Sequence, residues 1–388
     1  MLAISRPIGT IVLENAKMMR PLLHVFPTFG IGGMQTQFAT VANALADEYR
    51  HIIVSLDGRV ECRSKLAIGT NYELADPPPM AASGLSQTPA IARFLRRQQA
   101  AAVITYNWGA VEWCLVNRMF GNAPGVHCEH GFSREEADRQ FWRRSLFRRL
   151  ALGRTTPLIV PSTTLQSLAT SIWRIRPAQI HHIANGIDLA AMSRRTTATP
   201  APFVRQPQEF VVGTVAPLRE EKNLGRLLRV FARAADGDVR WRLAIAGDGP
   251  ERARLEVVAH QLGIRDRVLF LGSLDEPMPA LDLFDVFMLT SETEQMPYSI
   301  LEAMALGKPV AATDVGDIAH MLCAENRPFV RPREDEVALA RALRQLGDDA
   351  DLRQRLGIGN RGRCLAEYTE DKMCAAFHQL YATHKRQG

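Results

Sequence analysis

No apolar run in this 388-residue chain approaches the roughly 20 residues that a membrane-spanning helix needs. Its six cysteines (Cys62, Cys114, Cys128, Cys323, Cys364 and Cys374) form no CxxC pair. Several sit among apolar residues as small hydrophobes do, and the set reads as reduced thiols of a cytoplasmic protein. The first glycine-rich turn, Phe29-Gly30-Ile31-Gly32-Gly33-Met34, lacks the GK[ST] of a P-loop. A dinucleotide fingerprint needs a glycine where Gln35 stands. The N-terminal apolar stretch is short and carries Glu14, a poor signal peptide, and residues 1–20 read as an extension.

What is present fits a soluble globular chain of two domains, with 46% hydrophobic and 23% charged residues. The net charge of +6 suits an anionic partner without choosing one. Short apolar runs alternate with helical patterns: Leu22–Phe26, then a helix striped with Met34, Phe38, Val41, Leu45 and Tyr49. Strands follow near residues 52–56, 102–106, 125–129, 158–160 and 180–184. The texture breaks in Thr- and Pro-rich residues near 196, and the alternation restarts at 210–215. The expected fold is therefore α/β, with two Rossmann-like doubly wound domains facing across a cleft. The boundaries are a domain over 21–190, a linker over 191–208 and a second domain over 209–365. A C-terminal helix over 366–388 is expected to pack back on the first domain.

The segment from Phe287 to Val315 is the most informative. A buried strand ends near Leu289, and a polar loop carries Glu294. Pro297 suits the start of a helix that Gly307 and Pro309 stop. That helix aims its N-terminus into the cleft, where free N–H groups attract an anion. Glu302 lies about one turn in. Carboxylates accept paired hydrogen bonds from vicinal hydroxyls, so both acids suit a sugar. Singly, Glu302 could equally be a first-turn acid complementing the helix dipole, and Glu294 a solvated loop acid.

Glu294-Gln295-Met296-Pro297-Tyr298-Ser299-Ile300-Leu301-Glu302 resembles the Glu-x7-Glu motif of retaining GT-B glycosyltransferases of family four. Ala184-Asn185-Gly186-Ile187-Asp188, Ala246-Gly247-Asp248-Gly249-Pro250, Val268-Leu269-Phe270-Leu271-Gly272 and Asp314-Val315-Gly316 are similar to further elements of that family, in order. The resemblance implies transfer of a sugar from a nucleotide-diphosphate sugar to a glycan or lipid-linked acceptor. Glu302 would hold ribose, Glu294 the donor sugar, and Met296, Pro297, Tyr298 and Ser299 the phosphates. An arginine and a lysine after the first strand of the second domain would hold the diphosphate. Lys222 falls on the lysine position; Pro217 stands at the arginine position, with Arg219 two residues on. Gly32, Gly33 and His130 would close the site from the first domain.

Asp236-Gly237-Asp238 and Asp349-Ala350-Asp351 read as surface turns, so chemistry without a metal or other cofactor is expected. His127-Cys128-Glu129-His130 ends a strand, whose neighbours point to opposite faces and disfavour one shared zinc ion. His127, His181 and His182 read as structural. Residues 139–154 hold six arginines, no acid and interleaved apolar residues. This stretch fits an anionic membrane surface or an ordinary helix with its apolar stripe in the core. No nucleic-acid-binding module is visible. Two alternatives stand beside transfer: a GT-B nucleotide-sugar epimerase, or a non-catalytic nucleotide-sugar-binding protein.

Overall fold

The computed structural model describes residues 19–79, 87–131, 136, 140–198 and 200–383; residues 1–18 of the expected extension lie outside that set. The first sheet has seven parallel strands: β1 (Arg20–Phe26), β2 (Tyr49–Ser55), β3 (Tyr72–Leu74), β4 (Ala102–Tyr106), β5 (Gly125–Cys128), β6 (Leu158–Val160) and β7 (Ile180–His182). Their order is β3-β2-β1-β4-β5-β6-β7. The second has six: β8 (Phe210–Val215), β9 (Trp241–Ala246), β10 (Val268–Gly272), β11 (Val286–Leu289), β12 (Val310–Thr313) and β13 (Val330–Arg331), in the order β10-β9-β8-β11-β12-β13. Near-continuous apolar strands such as Val286-Phe287-Met288-Leu289 are fully buried, as a sheet covered by helices on both faces requires.

The first domain carries helices α1 (Gly33–Ala44), α2 (Thr88–Gln98), α3 (Val111–Phe120), α4 (Trp142–Leu152) and α5 (Thr163–Ser171). After α6 (Leu189–Ala198), the second carries α7 (Leu224–Ala234), α8 (Arg252–Gln261), α9 (Met278–Asp282), α10 (Tyr298–Ala305), α11 (Ile318–Met321), α12 (Glu336–Asp348) and α13 (Ala350–Glu367). Strand order reverses between β1 and β4 in the first sheet and between β8 and β11 in the second. Ligands in doubly wound folds sit at such switch points, beyond the strands' carboxyl ends. The loops after β1, β4, β8 and β11 are therefore the ones that meet a ligand.

The final helix, α14 (Glu370–Thr383), returns to the first domain, where Met373, Cys374, Phe377, Leu380 and Tyr381 join its core. The two chain crossings pair with each other: Ile187 N donates to Tyr368 O at 3.0 Å, and Glu370 N to Ile187 O at 3.1 Å. Two expectations need correction. Residues 191–198, placed in the linker, are helical; the Asp188 carboxylate accepts the Ala191 N–H at 2.9 Å and starts the helix. Tyr49, placed on the stripe of α1, opens β2 instead, because the helix stops at Ala44. The Tyr49 ring packs edge-on against Tyr381 of the returning helix, a contact no local pattern encodes.

Candidate active site in the interdomain cleft

A cleft of about 1050 Å³ runs between the domains. Its second-domain wall is built from two loops at the switch point. The first follows β8 and includes Pro217, Arg219 and Lys222. It is backed by the Gly247-Asp248-Gly249 turn: Leu218 N donates to Asp248 O at 2.9 Å. A Cβ on Gly247 would stand 2.0 Å from Ala216 O, and its φ of 140° suits glycine alone. The Ala-Gly-Asp-Gly-Pro element thus acts by letting two backbones touch, which holds the Arg219 loop at the cleft.

The second loop follows β11. Glu294 accepts Lys222 Nζ at 2.5 Å and Ser291 Oγ at 2.7 Å on the same oxygen, Oε1. Both partners are mostly buried, at 19% and 10% side-chain exposure, so the pair fixes each side chain's direction. Gly316, with φ of 59°, lies against this loop; a Cβ there would meet Glu294 O at 2.4 Å. Met296, Pro297, Tyr298 and Ser299 also line the cleft, at the start of α10. Pro297 precedes the first helical residue and gives no side-chain cap. Glu302 is half-buried, one turn further along, and is not among the lining residues.

The first-domain wall comes from the loops after β1, β4 and β5. Gly33 lines the cleft and faces Tyr298 across it, with 3.5 Å from its Cβ position to the ring. Gly32 sits just outside, in extended conformation at the N-cap of α1. Gln35 folds its amide back to Thr28 O at 2.8 Å. His130 lines the cleft, its backbone N–H held by Asn107 Oδ1 at 2.7 Å. Burial lowers the His130 pKa to about 4, keeping the ring neutral, and its Nε2 has no protein hydrogen-bond partner. A neutral imidazole with an unpartnered nitrogen can bond a ligand hydroxyl.

His127, in contrast, is a core residue, its Nδ1 2.8 Å from Thr105 Oγ1. Asp238 is engaged by Arg240 and Asp349 caps α13, and neither aspartate triplet reaches the cleft. The site also contains residues that motif reading passed over. Asn185 Nδ2 donates to Met296 O at 2.7 Å, and Gln37 Nε2 donates to Asn185 Oδ1 at 2.8 Å, pinning the start of α10 to the first domain. Gln295 Oε1 accepts Ser162 Oγ at 2.8 Å. Trp108, Glu136, Arg144 and Arg148 line the first-domain wall. Asn185 and Gln295 lay in quoted motif segments and Arg144 and Arg148 in the arginine-rich stretch, whereas Gln37, Ser162, Trp108 and Glu136 carry no spacing that announces them.

The arginine-rich stretch divides in two. Arg148 is fully buried: Nε donates to Glu129 Oε2 at 3.1 Å and Nη1 to Glu136 Oε1 at 3.2 Å, with Trp108 and Trp173 rings 4.9 and 4.5 Å from its Cζ. Burial disfavours the Glu129 charge, but His127 at 3.5 Å and the Arg148 guanidinium outweigh it and lower its pKa. Arg148 is therefore scaffold, and cannot meet a membrane. Trp142, Leu146 and Leu150 stand 69%, 47% and 54% exposed, so the apolar stripe of α4 faces outward. Among the described residues no helix is long and apolar enough to cross a membrane.

Comparison with known proteins identifies the family and the fold. The family model "Glycosyl transferases group 1" matches residues 197–363, and "Glycosyltransferase Family 4" matches residues 31–191. The chain is 31% identical over 240 residues to the lipopolysaccharide core biosynthesis glycosyltransferase LpsE of Rhizobium meliloti, a match covering 61% of this chain and 67% of that one. It is 28% identical to LpsD of the same organism, spanning 53% of this chain and only 60% of that relative's length. Among solved structures, Anabaena HepE in complex with UDP superposes with TM-score 0.78 at 17% identity, covering 94% of this chain and 100% of that one. That similarity identifies the GT-B fold.

Proposed function

Because the chain belongs to the glycosyltransferases of group 1 and family 4, whose models together match both of its domains, we propose that it transfers a sugar from a nucleotide-diphosphate donor to a hydroxyl of a glycan or lipid-linked acceptor, with retention of configuration. The observation that carries the reading is the pairing of Lys222 with Glu294 at the lip of two switch-point loops, opposite the neutral His130. One cation and one carboxylate, held together yet both lining the cleft, suit a ligand with a diphosphate joined to a polyhydroxyl ring.

In this reading Lys222, Arg219 and the N–H groups at the start of α10 take the diphosphate and stabilise the charge that grows on it as the glycosidic bond breaks. Glu302 takes the ribose hydroxyls. Glu294 and His130 orient hydroxyls of the donor sugar, and the glycine turn at Gly32 and Gly33 lets the first domain close on it. The acceptor proton passes to the leaving phosphate, so no side chain serves as nucleophile, and fixed cations take the place of a metal. The HepE structures hold UDP and UDP-glucose, which makes uridine donors the first to test. The outward residues Leu146, Arg149 and Leu150 suit an anionic membrane face at which a lipid-linked acceptor is presented, and the enzyme works at the cytoplasmic side.

The test is thermal stabilisation of the full chain by a panel of nucleotide sugars, followed by donor hydrolysis and transfer. A raised melting temperature with one donor, and sugar released or transferred from it, is expected. No shift with any nucleotide sugar overturns the donor site. An altered sugar formed without acceptor marks an epimerase instead.

A further inference from the structure

The first turn of α4 carries Phe141-Trp142-Arg143-Arg144, and α4 has no acid in its opening turn. Positive charges at a helix N-terminus oppose its dipole, by typically a few tenths of a kcal/mol each. An exposed tryptophan there leaves apolar surface in water. Exposed aromatic surface beside cations that the helix dipole does not favour is the chemistry of a binding surface.

The side chains form a continuous series. The Arg144 Cζ lies 5.3 Å from the Trp108 ring centre and 5.2 Å from that of Phe141, and the Arg143 Cζ lies 5.4 Å from Trp142. Arg144 lines the interdomain cleft and also a separate groove of about 540 Å³ formed with Phe141, Trp142 and Arg143. It is the residue at which the two spaces join. Its guanidinium is held in place: Nη1 donates to Glu136 Oε2 at 2.9 Å, and Glu136 is itself fixed by the buried Arg148. A guanidinium has more N–H donors than that single bond uses.

From this geometry we propose that Trp108, Arg144, Phe141, Trp142 and Arg143 form an acceptor track for an anionic sugar chain, leading out of the cleft. The proposal rests on the glycosyltransferase reading above and adds the class of acceptor. Aromatic faces stack on the C–H faces of sugar rings. Guanidinium groups take carboxylate or phosphate in paired, charge-assisted hydrogen bonds. The alternation of the two along one path matches a chain in which sugar rings and negative groups alternate. The sugar over Trp108 presents its hydroxyl in the cleft near Glu294 and His130, and the rest of the chain leaves over Phe141 and Trp142. The anionic group is a uronate carboxylate or a sugar phosphate; the chemistry at the arginines is the same.

The test measures binding to the full chain by tryptophan fluorescence and calorimetry. The probes are a glucuronate-containing tetrasaccharide, its carboxyl-reduced neutral counterpart, and a phosphorylated oligosaccharide of equal length. At least one acidic probe is expected to bind about tenfold or more tighter than the neutral one, and which one binds identifies the source of the charge. Arg143→Gln with Arg144→Gln removes that preference, and Trp142→Ser weakens all three probes. Thermal melting checks that each variant is folded, and Arg143→Gln and Trp142→Ser alter exposed side chains only. Equal affinity for acidic and neutral probes, a preference surviving the double arginine variant, or no binding at millimolar concentration overturns the track. Loss of anionic-vesicle binding by Trp142→Ser without any acid preference assigns the groove to a membrane and overturns it too. UDP and UDP-glucose binding by the unaltered chain is measured in parallel, so failure of the donor reading registers separately.

Discussion

Asp317 of the second domain caps a helix of the first: its carboxylate accepts the backbone N–H groups of Thr163 at 2.6 Å and Thr164 at 2.9 Å. It also accepts both threonine hydroxyls, at 2.9 and 2.7 Å. Ser162 Oγ takes the Leu165 N–H at 3.1 Å. The orphan donors at the start of α5 are thus satisfied across the domain boundary, which ties domain closure to helix capping. Asp317→Ala is expected to lower stability by roughly 1–3 kcal/mol and to widen the domain separation in solution scattering. An unchanged melting temperature and radius of gyration refute the clamp.

Glu294→Ala frees Lys222 while leaving the cation in the cleft. We expect transfer to fall by about two orders of magnitude or more, with nucleoside diphosphate binding largely kept. Turnover matching the parent enzyme removes Glu294 from the site. Lys222→Met shows the reverse pattern, weakening diphosphate binding by about tenfold or more. Calorimetry with UDP separates the two.

Pro217 occupies the position where the resembled family carries an arginine, and Arg219 lines the same cleft. Arg219→Ala is expected to weaken diphosphate binding by about tenfold, and Pro217→Arg in that background to restore part of it. If Arg219→Ala binds UDP as the parent does, Arg219 is a surface residue and the loop holds phosphate through Lys222 alone.

Arg148 and Arg149 are adjacent and chemically identical, yet one is buried and the other exposed. Arg148→Ala removes the guanidinium that Glu129 and Glu136 share, leaving the buried Glu129 with His127 and Glu136 with Arg144, and is expected to cost about 3–5 kcal/mol. Arg149→Ala is expected to stay within about 0.5 kcal/mol in stability. Combined replacement of Leu146, Arg149 and Leu150 by serine is expected to weaken binding to anionic vesicles at low salt. Denaturant unfolding and vesicle sedimentation check these outcomes, and equal stability costs for the two arginines contradict the buried network.

Burial holds His51 and His130 at about 4, and burial together with the nearby His51 lowers His24 well below its ordinary 6.5. Between about pH 6.5 and 4 the unfolded chain binds protons that the native chain refuses. These histidines therefore leave stability intact above that window and reduce it as pH falls through it, by up to about 1.4 kcal/mol per pH unit for each ring. Thermal melting at pH 7 and 5 is expected to show the first domain losing stability. A flat profile, or a His130 ring resonance that titrates near neutrality, contradicts it.

The sequence by itself determined the double α/β alternation, the break between two domains and the two loops of the second domain that line the cleft. Those signals are local: strand and helix periodicity, a proline and a glycine bounding α10, and acids at a fixed spacing within one loop and one helix. It also marked Lys222 and Arg219, through the resemblance to the family's basic positions after the first strand of the second domain. What the tertiary structure decided depends on contacts between segments far apart in the chain. Periodicity could not tell Arg148 from Arg149, since Glu129 and the rings of Trp108 and Trp173 that enclose Arg148 come from other elements. Asp317, Asn185 and Gln295 are ordinary polar residues until the domains meet and give them partners. The first-domain wall was illegible for the same reason: Trp108 and Arg144 are 36 residues apart in sequence and become neighbours only when the end of β4 and the start of α4 are brought together.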